Sequence, residues 1–491
     1  MTPASRAGGD DGIAALVPAP LVVPHVVRRA RWSATAAYAA QGFGFAVMLT
    51  NVPTYERYLG IGPDVITLVI LGVCVCAGTG SALSGWFAAR FGSARVVTGG
   101  LLVAAAGILA VGLSAGAGLL ATFFLAFAVY GLALGSVDAS TSMQGIDVQR
   151  AYGRSLIASF FAANAAGGVV GSLAVSGAAG LGIALPVSLA LVAAAVAVTA
   201  LVLRAGLLSR TAAVAVAGEA GVPGRVGGGT RQVPDGAAPV TGTGGGSGAG
   251  GEGERHGGAV APAVRVPRAT TGMVGAGTVI VLGLAMLAFP VADSAVSSWG
   301  ATFLQDVLGA SAVVGPLGFG AYQATLICSR LLGDRAVERW GRVRVVALGG
   351  AVGVVGLGLV AVSPVWPLAV LGFAATGLGL GVVAPMAFSA AGDRAAESVA
   401  GAAVAPVAPA AGGGPAAGVG PTVEEATDRA VARLNVFTYV GAVLGGAMTG
   451  VFATTDTLRL GFGVLAVLAL ATVVLAGRFR EARLPVGPSG A

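Results

Sequence analysis

The chain has 491 residues, of which 56% are hydrophobic and only 10% charged, with a formal net charge of +7. Soluble domains carry roughly 25% charged residues, so a water-soluble enzyme of this size is excluded, and a wholly disordered chain is excluded by the same composition. What remains is a polytopic membrane protein. All 28 basic residues are arginine. They stand singly or in short groups between apolar runs, not along one basic stripe, which argues against a nucleic-acid partner.

Residues 1–27 are rich in Ala, Pro and Gly, with Asp10 and Asp11 ahead of a weak apolar stretch broken by Pro18, Pro20 and Pro24. They read as a disordered cytoplasmic tail, since a cleavable signal has a basic start and an unbroken apolar core. A membrane helix needs about 20 mostly apolar residues. Six such spans centre on 33–54, 65–88, 95–114, 118–144, 155–177 and 181–203, giving an N-terminal bundle over 28–208. Residues 209–268 contain "GTGGGSGAGGEGE" and read as a disordered cytoplasmic linker. Six more spans centre on 271–298, 309–332, 344–363, 366–390, 430–453 and 457–477, giving a C-terminal bundle over 269–478. Its segment 398–424, with "AGGGPAAGVGP", reads as a second disordered insertion, and 479–491 as a tail. The expected fold class is therefore an all-α membrane protein of twelve transmembrane helices in two pseudo-symmetric six-helix bundles.

Arginines test that count. Arg28, Arg29 and Arg31 precede the first span, and Arg90, Arg95, Arg150, Arg154, Arg204 and Arg210 follow the even ones. Arg335, Arg339, Arg342, Arg344, Arg394, Arg429, Arg433, Arg478, Arg480 and Arg483 continue the pattern, while only Arg57 and Arg459 fall on the other side. The positive-inside rule places both termini in the cytoplasm. Cys74, Cys76 and Cys328 lie within apolar runs and read as buried thiols. No spacing suggests a metal site, a cofactor motif or a catalytic triad, so neither an enzyme nor a cofactor is expected.

The two halves repeat. "ARFGSARVV" at 89–97 aligns with "ERWGRVRVV" at 338–346, and "GLALGSV" at 131–137 with "GLGLGVV" at 377–383. Two matches at nearly one offset, in equivalent spans, indicate a parallel duplication with a midplane site between halves. The loop Gly85-x-x-x-Ala89-Arg90-x-Gly92 resembles the signature between the second and third helices of major facilitator transporters, which usually has Asp where Ala89 stands. Glu338 holds that acidic place in the second half, beside Arg339 and Gly341. In that family the loop is a cytoplasmic latch. "SRLLGDRAVERWG" (329–341), "DSAVSSWGATFL" (293–304) and "VDASTSMQGIDVQRAYGRSLIASF" (137–160) resemble the YbjJ-like branch, which lies near the fucose-permease-like proton symporters. The branch usually has Glu at Asp293, Asp at Ser298, Asn at Ser142 and His at Phe161.

Ionisable residues inside a span are expensive and face cavities or partners. Asp138 falls in the fourth span. In the symporters it resembles, the corresponding carboxylate carries the coupled proton, and a carboxylate in low dielectric binds a proton near neutral pH; the structural alternative is a helix cap or a pair with Arg150. Asp293 follows Pro290, which should kink or break the seventh span, and broken helices mark transport sites. It is a candidate for proton or solute binding. Trp299 is either an interfacial anchor or a stacking surface. Gln41, Asn51, Asn164, Gln323, Asn435 and Tyr439 are polar at lipid depth, and each either touches solute or bridges helices. Arg330 and Asp334, four residues apart, can pair and with Glu338 and Arg339 read as part of the latch.

These features point to a secondary transporter acting as a monomer by alternating access, a proton-coupled symporter of a small polar solute such as a sugar, with protons and the lipid bilayer as its other partners. A drug/proton antiporter of the same fold is the alternative; such exporters share Gly-x-x-x-Gly-Pro in the fifth span, where this chain has "NAAGGVVGSLAVSG" without proline. A non-transporting receptor or scaffold is the third reading, against which the linkers lack aromatic anchors and charge runs.

Overall fold

The computed structural model describes residues 25–152, 156–208, 275–404, 423–452, 454 and 456–480. The tail and linker assignments for 1–24, 209–268, 405–422 and 481–491, and Arg154, lie outside the described residues. Within them every regular element is helical: α1 His25–Thr50, α2 Val52–Leu59, α3 Pro63–Phe91, α4 Ser93–Gly116, α5 Leu120–Tyr152, α6 Ile157–Gly180 and α7 Leu185–Leu203 in the first half. The second half holds α8 Ala276–Met286, α9 Ala288–Thr302, α10 Gly315–Trp340, α11 Arg342–Val362, α12 Trp366–Leu380, α13 Val383–Val404, α14 Val423–Val451 and α15 Leu458–Leu475.

Among the described residues nine helical stretches are long and apolar enough to cross a bilayer. α1, α10 and α14 supply the other three crossings; each is long, but polar residues such as Gln41, Arg330 and Asn435 dilute its apolar run. Twelve crossings put His25 and Phe479 at the same end, the arginine-rich one; the short α2 lies at the far end. Proline opens the first turn of α2, α3, α7, α10 and α12. At that position its missing N–H costs nothing and its fixed φ suits a helix.

The duplication is visible in the turns. α3 ends and α4 begins at Gly92, with φ 85 and ψ 142; α10 ends and α11 begins at Gly341, with φ 78 and ψ 151. Each glycine N–H returns to the carbonyl four residues back, on Ala88 and Val337. Just after these turns Ser93 accepts from Gln144 Nε2 at 2.7 Å, and Arg342, the equivalent of Ser93, donates to Asp393 at 2.7 Å. One scaffold position thus ties the fourth span to the third by an amide and the tenth to the ninth by an ion pair.

Two spans are discontinuous. The seventh stops at Met286, restarts at Ala288 and finishes in a π-helical turn, Phe303–Val307. Pro290 is the third residue of the restarted helix, and its lack of an N–H releases the Met286 carbonyl. The tenth span, expected as one helix over 366–390, breaks at Gly381 for the same reason, with Pro385 third in α13. α13 then runs to Val404, and α14 starts at Val423, so the edges of the segment expected to be disordered (398–424) are helical. Its first part extends a helix carrying the Arg394–Glu397 pair at 3.0 Å.

Small residues set the helix spacing. A Cβ on Gly42 would strike the Asn164 carbonyl, and one on Gly167 the Ala39 carbonyl, so α1 and α6 touch through their backbones. In the second half Gly445 does the same against Val291, joining α14 to α9. Between the halves, α6 packs along α10 and α3 along α14. Gly168 lies against Gln323, Gly320 against Ser172, and Gly446 against Ile70.

Candidate solute-binding site

Among the described residues, Asp138, Asp293 and the Arg330 guanidinium stand part-way along their spans inside the bundle. Asp138 on α5 accepts a hydrogen bond from Gln41 Nε2 on α1 at 2.9 Å. The Gln41 amide oxygen is buried and has no hydrogen-bond partner among the described residues. It lines a small cavity of about 10 Å³ with Tyr130, whose hydroxyl is likewise unpartnered. One turn along each helix, the Tyr38 hydroxyl donates to Ser142 at 3.2 Å, and the Tyr38 ring stacks on Phe160 at 5.5 Å. Among the described residues no cation pairs with Asp138, and Arg150 is not its partner.

Across the interface Asp293 sits on α9, three residues after Pro290. Tyr322 of α10 is buried beside its carboxylate without closing a well-formed hydrogen bond to it, and Arg330 interacts with it electrostatically. Arg330 does not join the latch expected of it. Among the described residues no ion pair links it to Asp334, which is exposed. Arg330 reaches instead across the halves, with Nη1 on the Phe161 carbonyl at 3.4 Å and the guanidinium over the rings of Phe161 and Phe289 at 5.7 and 5.8 Å.

The remaining polar candidates separate. Gln323 is buried at the α6–α10 interface against Gly168. Asn164 donates to the Tyr38 carbonyl at 3.3 Å and so ties α6 to α1. Asn51, at the junction of α1 and α2, donates to the Val47 carbonyl at 2.8 Å. Trp299 does not face open space: it is fully buried, with Nε1 donating to the Gly446 carbonyl at 3.4 Å, because α14 closes over it. Tyr439 is 45% exposed and meets Ser81 at 3.5 Å between α14 and α3; the side chain of Asn435, its expected partner, lies outside the described residues. Gly85, Arg90, Glu338 and Arg339 are exposed at the arginine-rich end, with Gly92 and Gly341 in the turns.

The sequence reading missed a polar site at the far end. There Arg57 Nη2 donates to Gln305 Oε1 at 3.1 Å, and Ser176 donates to the Val313 carbonyl at 2.7 Å, both between halves. A cavity of about 180 Å³ opens beside them, lined by Asn51, Arg57, Tyr58, Ser188 and Gln305 among others. The signal was Arg57, which falls against the prevailing charge bias. Among the described residues no cluster of three potential metal ligands occurs.

Twelve crossings in two repeat-related halves, around an interior set of ionisable groups contributed by both, define a membrane transporter. A family model described as Major Facilitator Superfamily matches residues 34–421, and the chain belongs to that superfamily. It is 26% identical over 447 residues to a protein of Yersinia pestis described as an uncharacterized MFS-type transporter, covering 90% of this chain and 93% of that one. It is 28% identical over 195 residues to the Sinorhizobium fredii protein y4wD, described as an uncharacterized transporter; that match takes in 40% of this chain and only 44% of the relative's length. Among solved structures, the nucleoside transporter NupG superposes with a TM-score of 0.57 at 13% identity, over 93% of this chain and 98% of that one. A bacterial homolog of the human lysosomal transporter Spinster, inward-facing and unoccupied, gives 0.54 at 14% identity, over 93% and 96%. These likenesses establish the fold alone.

Proposed function

We propose that the protein is a proton-coupled symporter of a small polar solute, akin to the YbjJ-like and fucose-permease-like transporters, working as a monomer in the bacterial inner membrane with both termini cytoplasmic. The observation that carries this reading is the Gln41–Asp138 bond at 2.9 Å. A carboxylate held inside a membrane bundle by a neutral amide, with no cation against it among the described residues, is suited to exchange a proton and poorly suited to stabilise the fold. The broken seventh span supports a solute site at the level of Asp293, because Pro290 frees a backbone carbonyl there and broken helices mark transport sites. Rocking of the two halves about this level alternates access.

The test is solute-triggered proton movement in proteoliposomes, with sugars, organic acids and cationic drugs offered in turn, and Asp138→Asn in parallel. Symport gives proton entry with one polar solute, abolished in the variant. Undiminished proton entry in Asp138→Asn removes that residue from coupling. Proton exit in exchange for a cationic drug turns the reading into the antiporter.

A further inference from the structure

Arg330 is deep in the bundle. It lies about 22 Å along α10 from Gly315 at 1.5 Å per residue, and the helix runs on to Trp340. A guanidinium offers five N–H donors in a fixed fork and stays charged, and a cation at this depth needs compensation. Among the described residues the compensation is incomplete. One long hydrogen bond runs to the Phe161 carbonyl at 3.4 Å. Phe161 and Phe289 lie beside it and offer only their π faces, which do not engage N–H donors at the edge. Asp293 is near enough to interact, yet no ion pair joins the two among the described residues. Arg330 and Asp293 are only partly buried, and Phe161, which touches Tyr38 of its own half and Arg330 of the other, is 41% exposed.

We propose that Arg330 is the anion-reading residue of the solute site and that the solute is a small monocarboxylate. Its carboxylate takes the guanidinium edge, and its apolar body lies against Phe161 and Phe289. Arginine is suited to this because its fork matches both carboxylate oxygens at once. Phe161 comes from the first half, and Arg330, Phe289 and Asp293 from the second, so one ligand engages both halves, as a rocking mechanism requires. Charge balance links the anion to a proton. Among the described residues, Asp138 and Asp293 stand part-way along their spans with Arg330, while the buried Arg342 is already paired with Asp393. A bound carboxylate adds a third negative charge, and one proton taken from solvent onto a carboxylate of the site offsets it. Anion and proton then move together with no net charge.

The inference rests on the transporter reading but is tested by binding alone. The full-length protein in detergent is titrated with propionate and benzoate, with propionamide and benzamide as neutral counterparts, and with glucose; calorimetry and the thermal midpoint are both read. The acids bind saturably and raise the midpoint while the amides do not. Calorimetry in two buffers of different ionisation heat shows one proton taken up per acid. Arg330→Gln weakens acid binding at least tenfold, and Arg330→Lys recovers part of it. Equal binding of amides and acids overturns the proposal, as do failure of both acids to bind and unchanged acid binding in Arg330→Gln. The acid–amide comparison on the unaltered protein decides even where a variant folds poorly. A sugar that drives proton entry while the acids do not bind sinks this inference and leaves the symport reading standing. Acid binding without any solute-driven proton movement does the reverse.

Discussion

Arg57 on α2 and Gln305 in the π-helical turn after α9 are joined at 3.1 Å, and the bond ties the two halves together at the far end. Glu56, beside it, has a buried oxygen with no hydrogen-bond partner among the described residues. Burial pushes its carboxyl up to about 7, Asp306 of the opposite half adds to the rise, and Arg57 works against it. The protonated form is therefore the one this arrangement favours. Its contribution is complete below the ordinary carboxylate value of 4.5 and is lost as pH rises through about 7. Above that, Glu56 and Asp306 repel across the interface.

The thermal midpoint of the purified protein should accordingly fall between pH 5.5 and pH 8.5, and labelling of a cysteine placed at Ser188, in the far-end cavity, should speed up over the same range. Glu56→Gln should flatten both responses. A pH response unchanged in that variant assigns it to other groups.

The span count, the duplication and the break at Pro290 were legible because they rest on composition, period and one residue with a single conformational meaning. The break at Pro385 was not, since proline inside a long apolar run with glycines on both sides reads as one continuous span. Arg330 was misplaced for a related reason. An eighth span ending near 332 puts Arg330 at a helix end with Asp334, whereas α10 continues to Trp340 and leaves Arg330 in the interior. Trp299 looked interfacial because a tryptophan near a span's end usually is; only the packing of α14 shows it buried. Gln41 and Asp138 were each singled out, but residues 97 positions apart carry no sign of their pairing in one sequence.

The contact of α1 with α6 gives a second prediction. Because a methyl at Gly42 meets the Asn164 backbone carbonyl, not a movable side chain, Gly42→Ala forces the helices apart and should cost about 1–3 kcal/mol. Gly167→Ala should cost a similar amount against Ala39. Both are read as a lowered midpoint in detergent, and a change within error at both positions contradicts the close approach.

The duplicated turns give a third. Gly341 and Gly92 have φ of 78 and 85 with extended ψ of 151 and 142 and open space where a Cβ would stand, so alanine there meets conformational strain alone, about 1–3 kcal/mol. Gly85 also has open space but lies within α3, and Gly85→Ala should be neutral or stabilising by up to about 1 kcal/mol. The opposite signs are the test, since all three glycines belong to the same signature or its repeat and a purely functional role predicts no such split.

The last prediction separates stability from coupling at Asp138. Gln41→Leu leaves the carboxylate without its donor, and losing a hydrogen bond to a charged group costs about 1.5–3 kcal/mol. Adding Asp138→Leu removes the stranded charge as well, and replacing both members of a buried polar pair by apolar groups is often neutral or stabilising. The double variant should therefore regain most of the midpoint lost by Gln41→Leu while moving no protons with any solute. If it regains transport along with stability, the pair is a helix tie and the proton is carried elsewhere. If it stays stable and uncoupled, the Gln41–Asp138 bond is kept for transport at the expense of the fold, as an interior carboxylate without a counter-ion suggests.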